Sequence, residues 1–62
     1  MQFHIQNMTC GGCVRSVTKA IQSVDPAAVV NADPGTHKVE VTSESPRERL
    51  VAALTEVGYA PA

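Results

Sequence analysis

Three observations predict an α+β fold of order βαββαβ, with a four-stranded antiparallel sheet and two helices on one of its faces. Apolar and polar residues alternate over Met1–Gln6 and again over Lys38–Thr42, the period of a strand with one buried face. From Cys13 to Val24, and again after Pro46, the apolar positions fall on one stripe of a 3.6-residue period, as in an amphipathic helix. The chain has 62 residues, which allows a single hydrophobic core, so these apolar faces must cover one another. A domain this small buries only about 60% of the surface its unfolded chain exposes and has little room for a deep substrate cavity.

In the first strand Met1, Phe3 and Ile5 face inward, and Gln2, His4 and Gln6 outward. Asn7 to Gly12 reads as a loop, because the paired glycines Gly11 and Gly12 break regular structure. The first helix begins at Cys13 with the stripe Cys13, Val14, Val17, Ala20, Ile21 and Val24, and Asp25-Pro26 ends it, since the residue before proline is pushed out of helical geometry. Ala27–Ala32, apolar and carrying two valines, reads as a strand. Asp33-Pro34-Gly35 is a turn in which proline presets the second position and glycine takes the third, making a hairpin with Lys38–Thr42. Ser45-Pro46-Arg47-Glu48 combines a serine cap, proline at the first helical position and glutamate completing a capping box. The second stripe is Leu50, Val51, Leu54 and Val57, with Gly58 where the left-handed residue after a helix usually stands. Tyr59–Ala62 leaves room for a short last strand. Residues 1–62 thus read as one domain of split βαβ, or ferredoxin-like, arrangement.

Composition excludes several classes of function. Five Lys+Arg against six Asp+Glu give a net charge of −1, without the basic stripe that tracks nucleic-acid phosphates. RNA recognition on such a sheet needs exposed aromatic platforms, and Phe3 is expected to point inward. The longest apolar run, Ala27 to Val30, is far short of the ~20 residues of a membrane span. Met1 to Gln6 lacks the basic start and apolar stretch of a secretory signal, so a cytoplasmic location is expected. In a reducing compartment two cysteines three apart point to metal binding or redox chemistry rather than a structural cross-link.

Met8-Thr9-Cys10-Gly11-Gly12-Cys13 is the segment that calls for a chemical explanation. At a helix start this spacing lets both sulfurs face one small volume, where unpaired backbone N–H groups and the helix dipole favour thiolate. Gly11 and Gly12 are expected to let the backbone turn between the sulfurs and a partner approach closely. Structural zinc takes four ligands and catalytic zinc three plus water, but this loop offers two sulfurs and no neighbouring His, Asp or Glu. Soft thiolates select soft ions, and Cu(I) tolerates low coordination, so it is the expected ion. Thr9 stands where a carboxylate would have added a hard ligand. Among the other candidates, Met8 suits core packing better than ligation. Cys13 also lies on the helix's apolar stripe. His4 and His37 are expected to be solvated. Arg15 and Lys19 are expected to form a solvated face, with steering of an acidic partner as the other reading.

The Met-X-Cys-X-X-Cys loop at Met8–Cys13, the turn at Asp33-Pro34-Gly35 and the closing Gly58-Tyr59 make the chain similar to the heavy-metal-associated domain family, specifically its small bacterial copper chaperones. The resemblance spans nearly the whole sequence. It implies a non-enzymatic Cu(I) carrier with Cys10 and Cys13 as ligands, Met8 anchoring the loop in the core and Tyr59 near the metal loop. It also implies transfer by thiolate exchange to the metal-binding domain of a copper-transporting P-type ATPase. Excess copper bridging two chains through four sulfurs would give a homodimer. Rival readings are a thiol–disulfide oxidoreductase, which shares the Cys-X-X-Cys helix start but needs a larger scaffold, a mercury- or zinc-binding relative, and a regulatory domain of a pump. Met1 directly before the first strand, with no trailing linker, favours the separate carrier.

Overall fold

The computed structural model describes residues 1–62. Its elements are β1 (Gln2–His4), α1 (Gly11–Val24), β2 (Val29–Asp33), β3 (Lys38–Thr42) and α2 (Arg47–Glu56). The strands form one antiparallel sheet in the order β1-β3-β2. Register follows from the alternation of residue types. Phe3 sits opposite Val39, which also faces Ala32, and Val41 faces Val30, so one surface of the sheet is wholly apolar. On that surface lie Val17, Ala20 and Ile21 of α1 with Leu50 and Leu54 of α2, and Ile5, Met8 and Ala28 complete the core. Gln2, Glu40 and Asn31, and beside them His4, Lys38 and Asp33, form the exposed polar face.

The expected fourth strand does not form, and the sheet has three strands. Residues 59–62 run beside β1 but make one ladder-like bond, from the Ala62 N–H to the His4 carbonyl at 2.7 Å. A ladder would need a second bond on the same side of the segment, from Ala60, and none forms. The N-terminal helix boundary also differs from expectation. α1 begins at Gly11 rather than Cys13, because Cys10 caps it and the two glycines adopt the helix instead of breaking before it. In α2, Pro46 is the cap residue and makes no side-chain cap bond, so Ser45 and Glu48 do not form a capping box. Ser45 is instead held by its backbone, whose N–H donates to Ser43 Oγ at 3.0 Å. Ser43 in turn donates to Asp25 Oδ2 at 2.6 Å, drawing the β3–α2 loop to the end of α1.

The hairpin also differs from expectation. Gly35 is not left-handed; its N–H bonds to Asp33 Oδ1 at 2.9 Å, and the left-handed residue is His37, at φ 60°. An aspartate side chain that accepts from the N–H two residues on closes the turn without a positive φ at the glycine. Val57 lies just past α2 and is 48% exposed, so the apolar stripe stops at Leu54. Gly58 does adopt a left-handed conformation, at φ 88°. Its N–H reaches the Thr55 carbonyl at 3.1 Å and that of Tyr59 the Leu54 carbonyl at 2.8 Å, the paired bonds of a Schellman motif. This reversal sends Tyr59 back toward the start of α1.

Candidate metal centre

Cys10 is the residue from which the site is built. With φ −148° and ψ 169° it is extended, and its Sγ accepts the N–H of Cys13 at 3.4 Å, where a serine or aspartate oxygen would ordinarily cap a helix. The cap brings the sulfurs together: Cys10 Sγ and Cys13 Sγ lie 2.9 Å apart, both as free cysteines. Cys10 is exposed and Cys13 half-buried, packed against the core at its edge. Gly11 and Gly12 take ordinary helical backbone, so they are not needed for a turn between the sulfurs. A Cβ at Gly12 would make only ordinary van der Waals contact with Cys10 Sγ, at 3.9 Å, and one at Gly11 would meet nothing.

The environment favours ionised sulfur. The Cys13 thiol is lowered from 9.0 to about 6, chiefly by hydrogen bonding from Cys10, then by the Tyr59 hydroxyl and the backbone of Thr9, with partial burial opposing. Reciprocally, Tyr59 is raised above its usual value, first by its bond to Cys13 and then by burial. Tyr59, expected near the metal loop, thus lies against Cys13. No acidic residue occupies the first turn of α1, so the positive end of the helix is left for the sulfurs.

Met8 is fully buried, its side chain part of the apolar core. Thr9 is exposed and contributes through its backbone. His4 is exposed, its ring 6.0 Å from that of His37. His37, expected to be solvated, is half-buried, with Nδ1 3.2 Å from the Met8 carbonyl oxygen. Asn7 donates from Nδ2 to the Gly58 carbonyl at 2.8 Å, tying the loop to the turn that carries Tyr59. The roles of Asn7 and His37 were not singled out by residue pattern, because each acts on a backbone atom far away in sequence. The signal for His37 is residue type: histidine, like asparagine, is enriched among left-handed residues. Nowhere do three or more His, Cys, Asp or Glu side chains converge, and the soft donors that lie together are the two sulfurs. Two thiolates open to solvent suit a soft, low-coordinate ion and fall short of a closed zinc site.

Comparison with known proteins agrees with this geometry. Across 61 aligned residues the chain is 38% identical to the copper-transporting ATPase 2 of Rhizobium meliloti (strain 1021), covering 95% of this chain and 7% of the ATPase. The chain thus spans a small fraction of that relative's length. Among solved structures, a gold binding protein is 46% identical with a TM-score of 0.95, over 98% of this chain and 94% of that one. The copper chaperone Atx1 from Synechocystis PCC6803, in a trimeric form, is 34% identical with a TM-score of 0.96, over 100% and 98% of the two chains. Residues 2–60 match the heavy-metal-associated domain, and the chain belongs to that family.

Proposed function

We propose that this chain is a Cu(I) carrier of the cytoplasm, in which Cys10 and Cys13 hold the ion and pass it on by thiolate exchange. The recipient is the metal-binding domain of a copper-transporting P-type ATPase. The observation that carries the proposal is the pair of sulfurs 2.9 Å apart at a helix start, one exposed and one half-buried, with no His, Asp or Glu converging on them. An ion so held can be approached by incoming thiolates from the open side. A shared-sulfur intermediate lets each metal–sulfur bond form as another breaks, without releasing the ion. No bond in a substrate is made or broken. The similarity to a copper-transporting ATPase and to the fold of copper chaperones supports copper as the cargo. That no helix is long and apolar enough to cross a membrane is compatible with a diffusing carrier. Under copper excess, two chains sharing four sulfurs give a metal-bridged homodimer.

A competition titration of the reduced protein with Cu(I), Au(I), Zn(II) and Hg(II) tests the cargo. We expect tight one-to-one Cu(I) binding and weak Zn(II) binding; indifference to Cu(I) overturns the proposal. Au(I) belongs in the series because the gold binding protein shares 46% identity, and a soft monovalent ion meets the same two-sulfur requirement. A second reading is favoured by the 7% coverage of the ATPase: these residues would be the metal-binding domain of a longer pump, with the same site chemistry. The mass of the native product distinguishes the two. A redox role is tested by insulin reduction, for which no turnover is expected.

A further inference from the structure

We infer that His37 is a positioning residue for the metal loop, holding the Met8 carbonyl and thereby fixing where Cys10 stands; the inference rests on the two-cysteine site proposed above. His37 lies outside the loop in sequence, at the close of the β2–β3 turn, and makes two contacts with the segment leading into it. Its carbonyl accepts the Ile5 N–H at 2.9 Å, carrying the β1–β3 pairing one step past His4 and Lys38. Its Nδ1 lies 3.2 Å from the Met8 carbonyl oxygen. A carbonyl only accepts, so Nδ1 carries the proton and donates. Between these two contacts the Met8 N–H reaches the Ile5 carbonyl at 3.2 Å, so residues 5 to 8 form a tight bend fastened at both ends by His37. Cys10 follows two residues later.

His37 makes these contacts from a left-handed backbone conformation, at φ 60°, that costs a non-glycine residue free energy. Gly35, two positions earlier, has no such conformation. A turn selected for backbone ease alone would carry glycine at position 37. The side chain that replaces it is half-buried and reaches the loop, which gives the unfavourable conformation a use. The Met8 side chain is already fixed by the core. Beyond it the exposed Thr9 and Cys10 have no side chain in the core, and the Cys10 carbonyl is held only from the helix side, by the Val14 N–H at 3.1 Å, so the Met8 carbonyl is the hold on the side where the loop enters.

The donor can be separated from the backbone conformation. Asparagine tolerates left-handed geometry and carries Nδ2 on Cγ, as histidine carries Nδ1, so His37→Asn keeps the donor. Aspartate has the same shape and conformational tolerance but only acceptors, and glycine relieves the backbone while removing the side chain. The readouts are the alkylation rate of Cys10 by iodoacetamide in the metal-free reduced protein, the rate of Cu(I) loss to a bathocuproine chelator from the loaded protein, and the melting temperature. We expect His37→Asn to match the parent in both rates. His37→Asp and His37→Gly should lose Cu(I) faster by about tenfold, the lower end of what loss of an outer partner costs a metal site. Both should also alter Cys10 alkylation, and His37→Gly should melt close to the parent. Parental rates in His37→Asp and His37→Gly, or equal acceleration in His37→Asn, overturn the inference. If His37→Gly does not fold, the Asn and Asp pair carries the test. If the parent itself fails to bind Cu(I), the copper reading falls, while the alkylation rates still decide the role of His37.

Discussion

The two helix starts occupy equivalent places in the two halves of the fold, yet they solve the same problem in opposite ways. Each follows a strand and must dispose of backbone N–H groups that have no partner within the helix. At α2 the chain uses Pro46 as the cap residue, with no side-chain cap, and puts Glu48 in the first turn against the positive helix end. At α1 it uses a sulfur as the cap, places two glycines behind it and leaves the first turn without an acid. The second half quiets its helix end, whereas the first keeps its own available for thiolate. Reactivity here comes from what the local sequence withholds as much as from the cysteines.

The largest expected effect separates these ends outright. Cys10→Ser and Cys13→Ser should each abolish tight one-to-one Cu(I) binding while circular dichroism stays native, whereas Ser45→Ala should leave binding untouched. Met8→Ala comes next. It empties a fully buried site beneath the loop and should cost about 2–5 kcal/mol in urea unfolding, against within about 0.5 kcal/mol for exposed Val57→Ala. If Met8→Ala proves as mild as Val57→Ala, Met8 is not the loop's anchor.

The pH dependence follows from a Cys13 thiol at about 6 against an ordinary 9.0. The folded-state value is the lower one, so the stabilisation is complete above 9.0 and is lost as pH falls toward 6. Cys13 alkylation should accordingly rise through pH 6 and level off near neutrality, while a profile centred near 9 would show that the site does not favour thiolate. Tyr59→Phe removes one hydroxyl donor and should move that midpoint upward, by less than Cys10→Ala does, since Cys10 is the larger cause and alanine leaves no donor in its place. Ser45→Ala should change stability least, within about 0.5 kcal/mol, because its side chain caps nothing.

Where a feature depended on residues close in sequence, it could be read directly. The Cys10–Cys13 spacing, the inward alternation of Phe3 and Ile5, the stripe from Val14 to Ile21 and the left-handed Gly58 are all of this kind. The misreadings share a cause: a local signal was outcompeted by a neighbour. The helical start of α1 moved back to Gly11 because a cysteine can cap, and the capping box at Ser45 lost its donor to Ser43. Gly35 was relieved of a left-handed turn by Asp33, which passed that conformation to His37. The last strand failed because residues 59–62 make a single ladder-like backbone bond to β1.

By itself the amino-acid order determined that two sulfurs would meet at the mouth of a helix over an aliphatic core, because spacing and periodicity act within a few residues. Only the tertiary structure decided what surrounds them: Tyr59 arriving from the end of α2, Asn7 bound to Gly58, and His37 holding the carbonyl of Met8. Those contacts join atoms 29 to 51 residues apart, and no local preference encodes which distant carbonyl a side chain will reach once the core has set the distances.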